Sequence, residues 1–400
     1  KIAGEAQRHA EWPIHGEIFR ARPDVMCIGH THPYSAGVMA MIDEALVPVT
    51  RAGAYFTPQV PRYRVTSNLI IDAGMGRGLA EALGGADAVL MQNHGVTYCG
   101  PTIAHCVIAG VLLEQACAAQ LLANGSGYGW APATGAGAAR LHLSDDDVAA
   151  AWGFLRRKAA RPFTASPSPA GSSEDELTLA HRVLANEGHE ALCAGAVAVR
   201  DGAEFTTKRA GLALSEIRDE NSLHTIPLSG MGGDGATGAL PEGPLFSAVF
   251  SARDDVAAAV WTEAPAVAVF AATDAPLSPA GDEGKHFEGA WARVADAGAP
   301  AGAIADALGD ARVVLLGNAG ALVVGPSVKV AVLRALFIEK ACAQQLAAGA
   351  SRYGWGWLPD SDLGVAGMTL EGQRQVDGFW NFYCRKLARR EQGAPLPGEF

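Results

Sequence analysis

Two histidines one residue apart, His30 and His32, follow an apolar run from Val25 to Gly29 and precede Pro33. In an extended strand, residues two apart point to the same face, so the two imidazoles converge on one point. A third histidine, His94, lies in Asn93-His94-Gly95, directly after a second apolar run from Ala88 to Met91. Three neutral imidazoles with coordination positions left over make a catalytic rather than a closed structural metal site. A cation held this way keeps its positive charge. It can polarise a carbonyl and stabilise the enolate formed when a C–C bond breaks or a proton leaves. Glu11 stands shortly before the His-x-His strand. A carboxylate there can serve as general acid or base, and can coordinate the metal when no substrate is bound.

The elements that must carry these residues are legible as periodicities. Trp12 to Arg20 has helical spacing with Pro13 in its first turn, where proline is well tolerated. Val25 to His32 reads as a strand, Tyr34 to Met41 as a helix, and Val47 to Val49 as a short strand. Ala52 to Arg64, with Pro58 and Pro61, reads as a loop. Gly74-Met75-Gly76-Arg77-Gly78 resembles part of a dinucleotide loop but follows no clear buried strand, so it reads as a turn into a helix over Gly78 to Leu83. Ala88 to Met91 is a buried strand and Ile103 to Leu122 a long helix. Asp145 to Ala159 starts with acids and ends with Arg156, Arg157 and Lys158, which suits a helix dipole. Alternating strands and helices give an α/β fold, an α/β/α sandwich with a central sheet covered by helices.

The chain also repeats itself. Phe19-Arg20-Ala21-Arg22-Pro23-Asp24-Val25 matches Phe250-Ser251-Ala252-Arg253-Asp254-Asp255-Val256, and Glu114-Gln115-Ala116-Cys117 matches Glu339-Lys340-Ala341-Cys342. Tyr128-Gly129-Trp130 returns as Tyr353-Gly354-Trp355. In the same alignment His30, His32 and His94 fall on Trp261, Glu263 and Ala319, while Glu11 falls on Glu242. Tryptophan and alanine cannot hold a metal, so the second copy reads as catalytically silent. The expected organisation is a metal-binding domain over residues 1–160, a Pro/Ser linker over 161–173 and a degenerate copy over 174–392. About sixty residues precede Glu242 within the second copy, including a helix from Leu177 to Ala185 and a strand from Ala194 to Arg200. Only ten residues precede Glu11, so the expectation is that the equivalent segment lies upstream of Lys1.

Composition narrows the function classes. Of the 400 residues 49% are hydrophobic, enough for well-formed cores, and 31 basic against 42 acidic residues give a net charge of -11. There is no basic stripe, so nucleic acid is not an expected partner. No uncharged apolar stretch reaches the length of a membrane span. The seven cysteines are scattered without a C-x-x-C pair and read as small buried hydrophobes of a reducing cytoplasm.

Glu11-Trp12-Pro13-Ile14-His15, His30-Thr31-His32-Pro33 and Asn93-His94-Gly95, in this order and spacing, resemble the class II aldolase/adducin superfamily. The resemblance covers most of residues 1–160 and extends in degenerate form over about 174–390. It implies that His30, His32 and His94 bind a divalent metal, zinc first with manganese, cobalt or iron as alternatives, and that Glu11 is the acid/base. It also implies a site at a subunit interface, where a loop tyrosine from a neighbouring subunit donates a proton. Tyr55 is the candidate, with Tyr63 second. Phosphate-handling members carry hydroxyl residues before the acid, whereas here Arg8-His9-Ala10 stand there. Arg8 suits a carboxylate, which a guanidinium can grip through two hydrogen bonds. Together with the Gly53–Tyr63 stretch, this points to the decarboxylase branch, with Arg8, Asn93 and Gly95 as substrate-binding residues. The expected function is a metal-dependent carbon–carbon lyase, a decarboxylase of a hydroxylated aromatic or related carboxylic acid acting through a stabilised enolate or phenolate. The alternatives are a sugar-phosphate aldolase or epimerase, an Fe(II)-dependent oxygenase on the same histidines, and an adducin-like scaffold without catalysis. The expected assembly is a homodimer of tandem copies forming a pseudo-fourfold particle.

Overall fold

A computed structural model describes residues 10–66, 69–92, 94–134, 141–160, 173–230, 240–279, 281–350, 370 and 372–391. The chain divides into two compact units, Lys1–Asn124 with Pro132–Ala149, and Gly125–Ala131 with Ala150–Phe400. Residues 161–172 of the expected linker, and the second Tyr-Gly-Trp, lie outside the described residues.

The first unit is built on four strands, β1 (Cys27–Thr31), β2 (Arg62–Tyr63), β3 (Ala88–Met91) and β4 (Gly95–Gly100), in the order β1-β4-β3-β2. β4 runs antiparallel to both β1 and β3, and β2 is parallel to β3. Helices Trp12–Ala21 and Ala73–Leu83 cover one face. Ile14 and Ile18 from the first, and Leu79 and Leu83 from the second, are spaced i, i+4 and so share a helix face. They enter one core with Val25, Tyr63, Val89, Met91 and Cys99. The two helices cross closely because Gly76 has no side chain: a Cβ there would lie 2.7 Å from the Pro13 carbonyl oxygen.

Three local expectations are corrected. The glycine-rich stretch is not a turn but the first turns of the Ala73–Leu83 helix, started by Asp72, whose carboxylate accepts the Met75 N–H at 2.9 Å. This N-cap offsets the helix cost of the glycines. Val47 to Val49 is not a strand: the Val47 N–H donates to the Gln120 side chain and the Pro48 carbonyl accepts from Ala133 N–H, so these backbone groups are satisfied without a ladder. The Ala52–Arg64 stretch holds a short helix, Arg51–Ala54, and β2 as well as loop. β4 is an element that the periodicity does not announce.

Helix Ile103–Gly125 is apolar and long enough to cross a membrane by length and composition, but it serves as a core helix here. Glu114, midway along it, accepts the Ser35 and Ala36 N–H groups and anchors helix Tyr34–Met41. Glu339 repeats this in the second unit, accepting the Ala266 and Val267 N–H groups.

The second unit has seven strands: β5 (Ala196–Asp201), β6 (Glu204–Lys208), β7 (Leu223–Pro227), β8 (Ala258–Thr262), β9 (Trp291–Val294), β10 (Val313–Leu316) and β11 (Gly320–Gly325). Their order is β7-β6-β5-β8-β11-β10-β9. The last four reproduce the first unit strand for strand, β8 for β1, β11 for β4, β10 for β3 and β9 for β2. The register is kept as well: His30 lies opposite Thr97, and Trp261 opposite Leu322. Both units are therefore copies of one α/β fold, and the second carries a three-stranded extension on its β8 edge. Phe205, Phe246 and Phe250 fill its core beside Leu322 and Val324. Burying each such side chain contributes roughly 1.5–3 kcal/mol. Helix Ser173–Asn186 carries the fully buried His181, which bonds the Leu177 carbonyl through Nδ1 at 2.8 Å and accepts the Val197 N–H at Nε2 at 3.1 Å. Both ring nitrogens are thus satisfied by a neutral imidazole.

Candidate metal centre

β1 delivers His30 and then His32 at its end, and the connection between β3 and β4 delivers His94. The three donor nitrogens lie within 4.8 Å of one another. The ring centroids form a nearly equilateral triangle with sides of 5.0, 5.1 and 5.1 Å, and the ring planes are inclined by 70–86°. Three imidazoles stacked for packing would not aim their nitrogens at one another. His30 Nε2 and His32 Nε2 stand 3.2 Å apart.

The tautomer of His30 is set from behind. Its Nδ1 lies 3.0 Å from the Val96 carbonyl oxygen, which can only accept, so Nδ1 carries the proton and the Nε2 lone pair faces the triangle. Thr97 Oγ1 adds a contact at 3.3 Å. Burial, followed by the neighbouring His94 and His32, pulls His30 down to a pKa of about 4, against the pull of Glu11 and the Val96 carbonyl. His30 is therefore neutral at pH 7, the form that binds a cation. Converging nitrogens and a fixed tautomer fit a divalent metal held by the three histidines.

Glu11 occupies the N-cap position of helix Trp12–Ala21 and is buried. Its Oε1 accepts the Ile70 N–H at 3.0 Å and lies 3.4 Å from His94 Nε2, while Oε2 lies 3.7 Å from His30 Nε2. The carboxylate is thus braced by a backbone amide against two corners of the triangle.

Gly95 is a spatial requirement of the site. A Cβ there would lie 2.3 Å from His32 Cδ2 and 2.8 Å from the Thr31 carbonyl oxygen. Gly95→Ala should push His32 out of the triangle and weaken metal binding at least tenfold, the lower end for losing support around a metal ligand. Calorimetric titration with Zn²⁺ measures this, and unchanged affinity would contradict the geometry.

The other candidates fare differently. Arg8 and Asn93 lie outside the described residues. Tyr55 is not brought to the triangle by its own chain: it is buried against Phe56 beside Gly85–Ala88, at the opposite end of β3 from His94. Tyr63 is a core residue, 1% exposed, and its hydroxyl donates to the Met75 carbonyl at 3.5 Å. The Ile70 N–H and the Val96 carbonyl, which orient Glu11 and His30, are backbone groups with no side-chain signature. Thr97, directly opposite His30 in the register, was missed because β4 was.

In the second unit Trp261 donates its indole N–H to Glu263 at 3.2 Å, and Ala319 takes the place of His94. Among the described residues this unit assembles no group of three metal-ligating side chains.

The sequence profile described as "Class II Aldolase and Adducin N-terminal domain" matches residues 1–121 and again residues 175–346. The chain belongs to this family. It is a tandem class II aldolase-type protein in which one copy keeps the three histidines. Decarboxylase NovR of Streptomyces niveus is 32% identical over 126 residues, covering 31% of this chain and 47% of that protein. The 4-hydroxy-3-prenylphenylpyruvate oxygenase/4-hydroxy-3-prenylbenzoate synthase of Streptomyces roseochromogenus subsp. oscitans is 32% identical over 118 residues, covering 30% and 43%. The chain thus spans less than half the length of these two relatives. L-fuculose 1-phosphate aldolase from Glaciozyma antarctica PI12 is 25% identical with a TM-score of 0.45, covering 58% of this chain and 96% of that one.

Proposed function

We propose that the first unit is a divalent-metal-dependent lyase that decarboxylates a hydroxylated aromatic or related carboxylic acid. The observation that carries the reading is the histidine triangle with Glu11 braced against it. The decarboxylase name of one relative, and the hydroxylated aromatic compounds in the name of another, support the substrate class.

His30, His32 and His94 would hold the cation. When bound, the cation supplies Lewis-acid polarisation of the substrate's oxygens and offsets the negative charge that develops there. Glu11 handles the proton. As the bond to the carboxylate breaks, CO₂ leaves and the bond pair stays on carbon. Glu11 takes up the proton of the substrate's hydroxyl as that group binds and then delivers it to the carbon, so that the product regains a C–H bond. The Ile70 N–H fixes the carboxyl so that it does not swing away. Burial of Glu11 and His30 keeps bulk water from competing for the proton.

The experiment is an assay of CO₂ release from a panel of hydroxybenzoic acids by the zinc-, manganese- or iron-loaded protein, in air and without oxygen. Release in both atmospheres supports the reading. Cleavage of a ketose phosphate with no CO₂ release would replace it with an aldolase. A strict oxygen requirement would replace it with an oxygenase, the second reading, which the name of the second relative favours.

The assembly belongs to the same proposal. The protein acts as a homodimer with the silent copies serving assembly. Light scattering should give twice the 41.3 kDa chain mass; a stable monomer would contradict the proposed assembly.

A further inference from the structure

Beneath the metal-bearing strand lies a second group of reactive side chains. Cys27, the first residue of β1, is directly opposite Gly100 in the register. Opposed residues in an antiparallel pair point to the same side. A Cβ on Gly100 would lie 2.8 Å from the backbone nitrogen of Cys106, so Cys106 fills the place where a cross-strand neighbour of Cys27 would stand. Cys106 Sγ reaches the Tyr98 carbonyl at 3.7 Å, and burial together with the neighbouring Cys27 thiol pushes its pKa up to about 12. Cys27 is half-buried and Cys106 fully buried. Cys99 is a different case. It opposes Ile28, faces the other side of the sheet and points its sulfur at the Ala86 carbonyl, 3.7 Å away.

The silent copy gives an internal comparison. At the positions of Cys27 and Cys106 it carries Ala258 and Ala331, both fully buried, whereas Cys117 is matched by Cys342. The thiol pair therefore accompanies the copy with the histidines and is dispensable to the fold.

We propose that Cys27 and Cys106 are a redox-closable pair that forms an intramolecular disulfide on exposure to a peroxide, tying β1 to the first turn of helix Ile103–Gly125. The half-buried Cys27 is the point of attack. Its sulfur takes one peroxide oxygen and becomes a sulfenic acid, and the other oxygen leaves as water. The Cys106 sulfur attacks the Cys27 sulfur, the S–O bond breaks and a second water leaves. Two thiols lose two electrons and two protons, and the peroxide is reduced to two waters. A dithiol reverses the change.

The test treats the full chain with hydrogen peroxide, then counts thiols after unfolding and maps peptides by mass spectrometry. Two of the seven thiols should disappear. A peptide linking Cys27 to Cys106 should appear, and dithiothreitol should restore both thiols. Cys27→Ala and Cys106→Ala, the residues that the second copy uses, should each abolish the link. Cys99→Val, matching Val324, should leave it intact. Oxygen addition at Cys27 with Cys106 still reduced would overturn the proposal. So would a link through Cys99, or one between chains.

Discussion

Glu11→Gln lowers kcat for CO₂ release by about 10²–10⁴-fold, the range for losing a positioned general acid or base, and leaves the metal in place. The amide keeps an oxygen that accepts the Ile70 N–H, so helix Trp12–Ala21 starts as before. It keeps the volume between His30 and His94. It cannot hold or release a proton at neutral pH. Loss of kcat with retained metal separates proton transfer from ligation. If the variant binds metal tenfold more weakly and turns over normally once saturated, Glu11 is a ligand rather than the acid/base. Wild-type activity at wild-type metal content would remove it from the chemistry altogether.

Stability of the second unit falls steeply as pH drops from about 6.5 towards 3. Burial holds His181, His189 and His286 down to pKa values of about 3, and at His286 Arg312 and Arg334 add to the shift. In the unfolded chain the same groups titrate near 6.5. Between the two values the unfolded state binds more protons, so stability is fully present above pH 6.5 and is lost as the pH falls through that window. Each histidine costs about 1.4 kcal/mol per pH unit there. Glu339, raised by burial, works in the opposite sense, one group against three. The summed loss by pH 5 is on the order of several kcal/mol, a large share of a typical domain stability. Denaturant unfolding followed by amide exchange in β5 and helix Ser173–Asn186 measures it at pH 7.5 and 5.0. Equal protection at both values would contradict the neutral, buried state of these histidines.

The histidine triangle was legible because its signal is periodic. Two residues apart on one strand means one face, and the geometry of His30 and His32 follows from that alone. His94 follows an apolar run of its own, and Glu11 is marked by the Glu11-Trp12-Pro13 motif ahead of the His-x-His strand. The loss of histidines in the second copy is also visible in sequence: Trp261 and Ala319 stand where histidines stand in the first, and the strand registers agree residue for residue. What escaped is what backbone groups do. The amide of Ile70 and the carbonyl of Val96 orient the site without leaving a mark in the sequence. Asp72 turned a glycine-rich stretch into helix against its propensity, and the Gln120 side chain satisfied Val47 where a strand was expected. Tyr55 shows another limit, since its place at the far end of β3 depends on how β2 pairs with β3, which residue spacing does not encode.

Metal content is the measurement closest to the central claim. The purified chain should be analysed by plasma mass spectrometry beside the His30→Ala/His32→Ala double variant. About one divalent ion per chain, lost in the variant, is the expected result, since the first copy brings three histidines together and the second has Trp261, Glu263 and Ala319 in their places. Two ions per chain, or one that survives the double substitution, would place the metal elsewhere and contradict the assignment of the first unit as the single live site.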